Sequence, residues 1–354
     1  MSRPTILDVA RRAGVSPAVV SHVINENPAH VGEVTRRRVK AVIAKIGYRP
    51  SGVAKSLRRR HTRTLGLVIC DATSALFAPV ARGVEAVASR AGYQVLLVHA
   101  PDAATEREAL AVLAAHPVEG VILMAVSTRQ KAPHLAEAGD LPIAVINRYG
   151  VPPRFTRIRW DDRAGARLAV EHLFQLGHRR IGFIGGPDAG SAARLSAIRR
   201  LEGFRAAHRM SGIPVAESAI VSGNYSVEAG VRGAARLCRL ARRPTAIVAS
   251  NDTMAMGALR GIRESDLRCP EDVAVVGIGD PPFMAFAHPP LTTVALPVEE
   301  AGARAAECIL KQVEDPDERP RTEILPCRLV VRASCGAATL RPGCVVRLAG
   351  KRRR

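Results

Sequence analysis

Fourteen lysines and arginines stand in the first 63 positions, against only Asp8, Glu26 and Glu33, a net charge of +11. Guanidinium and ammonium groups at that density bind phosphate through charge and forked N–H donors. The segment from Ala337 adds Arg341, Arg347, Lys351, Arg352, Arg353 and Arg354 with no acid, so only +3 of the chain's +20 is left for the middle. A generally basic, solvated surface would not concentrate charge in this way. A basic head on a nearly neutral body is the footprint of a nucleic-acid-binding module.

Other chemistries lack their constellations. The seven cysteines (Cys70, Cys238, Cys269, Cys308, Cys327, Cys335, Cys344) are odd in number and form no Cys-x-x-Cys pair, as expected of reduced thiols in a cytoplasmic protein. The ten histidines show no metal-type clustering, so no metal site is expected. No serine or cysteine nucleophile pairs with a base; the chain reads as no enzyme, with no catalytic residues and no cofactor. Gly277-x-Gly279 and Gly182-x-x-Gly185-Gly186 lack the spacing of a dinucleotide fingerprint, and Pro281-Pro282 follows the first. No hydrophobic leader or long apolar run suggests export or a membrane partner.

The elements that must position the basic groups follow from local chemistry. Thr5 with Asp8 three residues on predicts a capping box. Gly14 supplies a sharp turn, and Ser16 caps a second helix that opens on Pro17, where no N–H is needed. Val9, Ala10, Ala13, Val15, Val20 and Val23 fall at spacings that pack the two helices together. This is a helix-turn-helix, whose second helix is offered to the DNA major groove. A third helix is predicted from Glu33 or Thr35 to Ile46, with Val39, Val42, Ile43 and Ile46 on one face and Gly47 as its stop. A further helix of about eight residues over 51–58 is too short to be stable alone, so it is expected to be mobile in free protein and ordered on DNA.

Thr-Ile-x-Asp-Val-Ala from Thr5, Gly14-Val15-Ser16, Val20-Ser21-x-Val23-x-Asn25 and Tyr48-x-Pro50-x-x-x-Ala54-x-x-Leu57 occur in succession. This order resembles the lactose-repressor (LacI/GalR) family of bacterial regulators, and the resemblance runs from Thr5 to about Ser334. It implies that Pro17, Ala18, Ser21 and His22 face the groove. Pro17 and Ala18 can offer only apolar contact, as to a thymine methyl. His22 stands where arginine is commonest; imidazole makes one bond at a time where arginine makes a bidentate contact to guanine, so the operator should differ from the lactose-type site at that base. Thr5, Ser16 and Asn25 are expected on phosphates, which position without specifying. Tyr48 and Lys55 join the DNA-binding set, and Leu57 stands at the position of the family's wedge into the minor groove.

Beyond Arg63 the pattern alternates. Apolar runs at 65–70, 95–98, 121–126, 143–146, 180–184, 219–222, 246–250 and 273–278 read as buried parallel strands, separated by helical stretches near 80–90, 106–115, 132–138, 163–176, 195–210, 226–240 and 253–264. So long a stretch is expected to form two lobes. Glu171-His172-Leu173-x-x-Leu176-Gly177-His178-Arg179-Arg180-Ile181, Ser250-Asn251-Asp252 and Pro290-Leu291-Thr292-Thr293 agree with the family. The fold class expected is an all-α helix-turn-helix DNA-binding head plus an α/β two-lobed periplasmic-binding-protein-like core. The domains are 1–48 for the head, 49–62 for hinge helix and linker, and 63–336 for the effector-binding core. Within the core, lobe one is 63–160 and 291–320, and lobe two is 161–290 and 321–336. The chain crosses near Trp160, Leu291 and Pro320. Residues 337–354 form a basic tail, read as a disordered appendage, with extra sequence-blind DNA affinity as the functional alternative.

Such cores bind small molecules at the carboxyl ends of strands. The resemblance places Phe77, Asn147, Arg194, Ser196, Arg200 and Asn251 in that cleft. It also exposes a departure: Gly279 stands where the family commonly has an effector-gripping aspartate, with Asp280 next to it, and Asn147 also replaces a common aspartate. Lost negative charge beside retained arginines points to an effector more anionic than a plain sugar; lost effector binding is the rival. The partners expected are a roughly palindromic double-stranded DNA operator, a small-molecule effector (a sugar or sugar derivative) and a second copy of the chain in a homodimer. The function expected is transcriptional regulation, with repression the family's usual output. A solute-binding protein would share the core but not the DNA-reading head.

Overall fold

Thr5 starts the first helix as its spacing to Asp8 requires. Its side-chain oxygen accepts from the Asp8 N–H at 3.4 Å, and Asp8 Oδ2 accepts from the Thr5 N–H at 2.9 Å, so two orphan donors are satisfied reciprocally. This helix, α1 (Ile6–Ala13), ends at Gly14, whose φ of 61° is left-handed and sterically free for glycine. Ser16 Oγ accepts from the Val19 N–H at 3.4 Å, and α2 spans Pro17–Ile24. Helix α3 (Glu33–Ile46) stops at left-handed Gly47. Val9, Ala10, Ala13, Val20, Val23 and Val39 are buried together, with Val15, Val42, Ile43 and Ile46 packed around them. Only valine and alanine fill this centre, so the helices approach closely and the head's core is thin.

These elements come from a computed structural model, which describes residues 4–24, 31–48, 62–72, 74–115, 118–124, 135, 139–187 and 194–337. The predicted hinge helix, most of the helix predicted near 132–138 and the basic tail lie outside the described residues. The chain divides into two compact units, Met1–Arg63 and Thr64–Arg354.

The second unit holds two six-stranded sheets. Lobe one contains β1 (Thr64–Ile69), β2 (Gln94–His99), β3 (Gly120–Met124), β4 (Ile143–Ile146) and β5 (Thr156–Trp160). Lobe two contains β6 (Ile181–Ile184), β7 (Ile220–Val221), β8 (Ala246–Ala249), β9 (Ala274–Gly279) and β10 (Thr292–Ala295). Two late strands, β11 (Thr322–Leu325) and β12 (Arg328–Val330), complete lobe one and lobe two respectively. The orders are β11-β5-β4-β3-β1-β2 and β12-β10-β9-β8-β6-β7; pairing is parallel except for β12 on β10. Every residue of β4, β6 and β8 is buried, which is why these strands read as unbroken apolar runs with both faces covered.

Helices α4 (Phe77–Arg90) and α5 (Ala103–Ala115) follow β1 and β2; α6 (Asp162–Gln175), α7 (Arg194–Met210), α8 (Val227–Cys238) and α9 (Asp252–Arg263) belong to lobe two. Helix α10 (Val298–Glu314) returns to pack on α4 and the lobe-one sheet. A Cβ at Gly257 would fall on the Val227 carbonyl; only glycine lets α8 and α9 touch backbone to backbone.

The lobe boundaries differ from the sequence expectation at two places. Thr292–Ala295, expected in lobe one, pairs in register with β9 of lobe two (Thr292 opposite Val276). Thr322–Leu325, expected in lobe two, pairs with β5 of lobe one (Thr322 opposite Arg157). The crossings therefore fall after Trp160, between Ala295 and Val298, and between Leu325 and Arg328. Pro297 and Pro326 occupy the last two; proline has no N–H to give a sheet ladder and marks where each strand ends. No helix among the described residues is long and apolar enough to cross a membrane.

Candidate functional site

Helix α2 buries Val20 and Val23 on one side and turns Pro17 and Ala18 away from them. Pro17 and Ala18 are exposed, and Ser21 and His22 are half-buried one turn on; residues three and four apart share a face. Arg11, Arg12, Arg37, Arg38, Lys40 and Lys45 are exposed on the same unit. Arg37 pairs with Glu33 at 3.1 Å. The Thr5 hydroxyl donates to Asp8 Oδ2 at 2.7 Å, and this bond holds the Asp8 carboxyl below the ordinary range. Thr5 is thus committed to the cap of α1, as Ser16 is to that of α2, and both residues are exposed. Tyr48 packs against the head's core. Asn25, Lys55 and Leu57 lie outside the described residues.

In the core, the strand orders locate the site before any side chain is considered. The chain runs from β1 out to β2 on one side and then crosses back past β1 to β3 on the other, and it runs from β6 to β7 and back to β8 likewise. Open α/β sheets bind ligands at such switch points, outside the carboxyl ends of the strands. Asn147 follows β4; Trp160 ends β5, with Asp162 two residues on; Ser250 and Asn251 follow β8; Gly279 ends β9, and Asp280 follows.

Asn147 is left-handed, with φ of 51°. Its Nδ2 donates to Ser196 Oγ of α7 at 3.3 Å, across the two lobes, while its Oδ1 is buried with no partner among the described residues. Beside it, the Tyr149 ring lies between two guanidinium groups, 5.0 Å from Arg159 of β5 and 5.6 Å from Arg199 of α7. That stack also spans the lobes. Burial, then Asp162, push the Tyr149 phenol up to about 12.

Arg200 is buried and bonded on all three nitrogens. Nε and Nη2 each reach Asp162 Oδ1 at 2.8 Å, and Nη1 donates to the Ser250 carbonyl at 2.5 Å. Although burial opposes its charge, Asp162 raises the guanidinium's pKa above the ordinary value. Asp162 is 1% exposed, and its Oδ2 has no partner among the described residues. Trp160 Nε1 is in the same condition. The Tyr225 and Ser250 hydroxyls lie close together without completing a bond of full geometry.

Asn251 caps α9, its Oδ1 accepting from the Met254 N–H at 2.9 Å, and its Nδ2 donates to the Tyr225 carbonyl at 3.2 Å. Phe77 opens α4 and packs on the core. Arg194 opens α7; its side chain is outside the described residues. The six cleft residues expected from sequence thus separate into kinds. Asn147 and Ser196 meet directly, Arg200 and Asn251 are held by protein partners, and Phe77 is a packing residue at a helix start.

Asp252 lies against both Gly277 and Gly279. A Cβ at Gly279 would meet Asp252 Oδ2 at 2.8 Å, and one at Gly277 would fall on Oδ1. Asp252 of α9 fills this space, accepting from the Asp280 N–H at 2.5 Å and the Thr293 hydroxyl at 2.6 Å. Burial pushes its carboxyl up to about 6. Asp280 turns elsewhere and pairs with Arg332 at 2.7 Å. Sequence reasoning missed Asp162, Tyr149 and Tyr225. Only Asp162 carried a signal, an acid at the junction between the alternating Thr156–Trp160 run and the next helix.

Residues 5–51 match the lacI family of bacterial regulatory proteins, and residues 170–335 match a periplasmic binding protein-like domain. The HTH-type transcriptional repressor PurR of Photobacterium profundum is 33% identical over 332 residues, covering 93% of this chain and 98% of that protein. The ribose operon repressor of Haemophilus influenzae is 33% identical over 331 residues, covering 93% and 98%. Among solved structures, the lac repressor dimer bound to operator and the anti-inducer ONPF superposes with a TM-score of 0.84 at 27% identity, covering 94% of this chain and 99% of that one. The transcriptional regulator CelR–cellobiose complex gives 0.70 at 31%, covering 94% and 100%. With an exposed, basic helix-turn-helix, a two-lobed core and relatives matched along nearly their whole length, the chain belongs to the lacI family of bacterial regulatory proteins, as a DNA-binding transcriptional repressor.

Proposed function

We propose that this repressor binds a roughly palindromic operator as a homodimer and that a small molecule held between the core lobes changes its affinity for that operator. The observation that carries the reading is the set of polar atoms at the strands' carboxyl ends. Asn147 Oδ1 and Asp162 Oδ2 are buried and unpartnered among the described residues, a costly condition that a bound ligand's donors relieve. Operator reading falls to Pro17, Ala18, Ser21 and His22, with Ser16 and Asn25 on phosphates and Leu57 as the wedge in the minor groove. Apolar side chains left in the open support self-association: Phe283 and Phe286 in lobe two are 58% and 87% exposed, and Leu96 and Leu97 are exposed on edge strand β2.

The effector acts through the contacts that join the lobes, the Asn147–Ser196 bond and the Arg159–Tyr149–Arg199 stack. A ligand that favours one lobe arrangement shifts operator affinity, and operator must shift ligand affinity by the same factor. The test is selection from random duplex DNA at fixed salt, with and without a pool of small metabolites. A two-fold-symmetric motif is expected. Its weakening by the pool identifies an inducer, and its appearance only with the pool a corepressor. Absence of any symmetric motif in both conditions sinks the dimeric operator reading, and indifference to every metabolite sinks the effector reading.

A further inference from the structure

The chemistry at the carboxyl ends of β4, β5 and β8 says which kind of molecule fits. Arginines in a cleft suggest an anion, yet Arg200 has none of its nitrogens free: Asp162 and the Ser250 carbonyl engage Nε, Nη1 and Nη2. The pair is internally neutral. What remains without a partner among the described residues is a mixture, the acceptors Asp162 Oδ2 and Asn147 Oδ1 and the donors Trp160 Nε1 and Arg159 Nε, which suits hydroxyl groups that both give and accept. Asp162, Trp160 and Ser250 are each at most 1% exposed, so these are built positions, not solvated side chains. The Tyr225 and Ser250 hydroxyls add groups that can both give and accept.

We infer that Asp162 is the specificity-determining residue of this cleft, selecting a neutral, polyhydroxylated ligand over its phosphorylated or acidic derivatives. The inference rests on the effector reading above and reverses the anionic expectation drawn from Gly279. A ligand hydroxyl donates to Asp162 Oδ2 and another to Asn147 Oδ1, while a ligand oxygen accepts from Trp160. A phosphate or carboxylate has no proton to give and would bring negative charge against a buried carboxylate whose counter-charge is already taken. A group that loses its hydrogen-bond donor against such an acceptor is rejected strongly, because the acceptor stays buried and unpaired.

The experiment is calorimetric titration of the full-length protein with matched pairs: ribose and ribose 5-phosphate, glucose and glucose 6-phosphate, cellobiose and cellobionate. At least one neutral member is expected to bind tenfold or more tighter than its anionic partner. Asp162→Asn leaves Arg200 with spare positive charge, so it should weaken the neutral ligand and strengthen the anion, narrowing the ratio at least tenfold. Since Asp162→Asn leaves a buried charge unpaired, Asp162→Asn/Arg200→Gln serves as the second variant. It keeps the network neutral and should lose the neutral ligand without gaining the anion. Equal or tighter binding of the anions by the parent protein overturns the inference, as does an unchanged ratio in Asp162→Asn. If no pair binds while a compound of another class alters operator affinity, the effector reading stands and this inference fails.

Discussion

The head and the core handle ligands by opposite physical means. The head keeps its binding groups outside: among the described residues, Pro17, Ala18 and most of its cations are exposed around a core of six small side chains. The core holds its polar groups inside, with Asp162, Ser250 and Asp252 buried just past strand ends and Arg200 buried on a helix beside them. Exposed charge suits a long, repetitive polyanion, where attraction needs little precision and falls with salt. Buried polar groups suit a small molecule, since each group must find a partner of the right kind or cost stability. One chain thus carries a salt-sensitive reader and a geometry-sensitive one.

The comparison breaks first on ionic strength. Duplex DNA binding should weaken by about 10³-fold or more between 50 and 200 mM salt if roughly six or more phosphates are neutralised. Small-molecule binding by the core should change little over the same range. Parallel titrations by fluorescence anisotropy and calorimetry check both, and similar slopes for the two ligands would erase the distinction.

Arg200→Ala addresses the core alone. It leaves Asp162 buried without its cation, and breaking a buried pair in this way costs about 3–5 kcal/mol. Urea unfolding monitored at Trp160 reads the loss, and isolated head helices should keep their circular dichroism signal. A loss under about 1 kcal/mol would mean that Arg200 is not structurally committed.

The pH dependence is the next largest effect. With its carboxyl raised to about 6 by burial, Asp252 holds its proton more tightly folded than unfolded. Stability from this group is present below about pH 4 and falls as pH rises toward 6, by at most about 3 kcal/mol. His172, His178 and His208 run the other way. Burial lowers all three, so the core loses stability as pH falls below about 6.5. Denaturation midpoints from pH 4 to 8 should show opposing slopes in the parent, and Asp252→Asn should leave only the histidine slope. An unchanged profile in that variant would refute the assignment.

The smallest effect belongs to the head. Thr5→Ala removes one half of a capping box and should cost about 1 kcal/mol of head stability, read as a shift in its thermal transition with the core unmoved.

Most of the head could be read from its residues because its devices are local. Thr5 with Asp8, Gly14, Ser16 with Pro17, and Gly47 each act within four positions, where spacing dictates geometry. The long strands of the core were legible for a related reason: burial on both faces leaves an unbroken apolar run such as Ile143–Ile146. The late elements were not. Strands β11 and β12 are short and bury only one residue each, and α10 carries many of its buried positions on small residues such as Ala301, Gly302, Ala305 and Ala306. Which sheet accepted Thr292–Ala295 or Thr322–Leu325 depended on which strand edge remained open.

The same division governs the site. Sequence alone determined that a basic helix-turn-helix precedes a two-lobed α/β core, because charge density, helix caps and apolar periodicity are properties of neighbouring residues. Tertiary structure decided that Arg200 is answered by Asp162, 38 positions away in sequence, that Asp252 occupies the space beside Gly279, and that Tyr149 bridges Arg159 and Arg199. Those pairings set the cleft's charge and its unsatisfied atoms, and they exist only once two sheets and three chain crossings bring distant residues within hydrogen-bond reach.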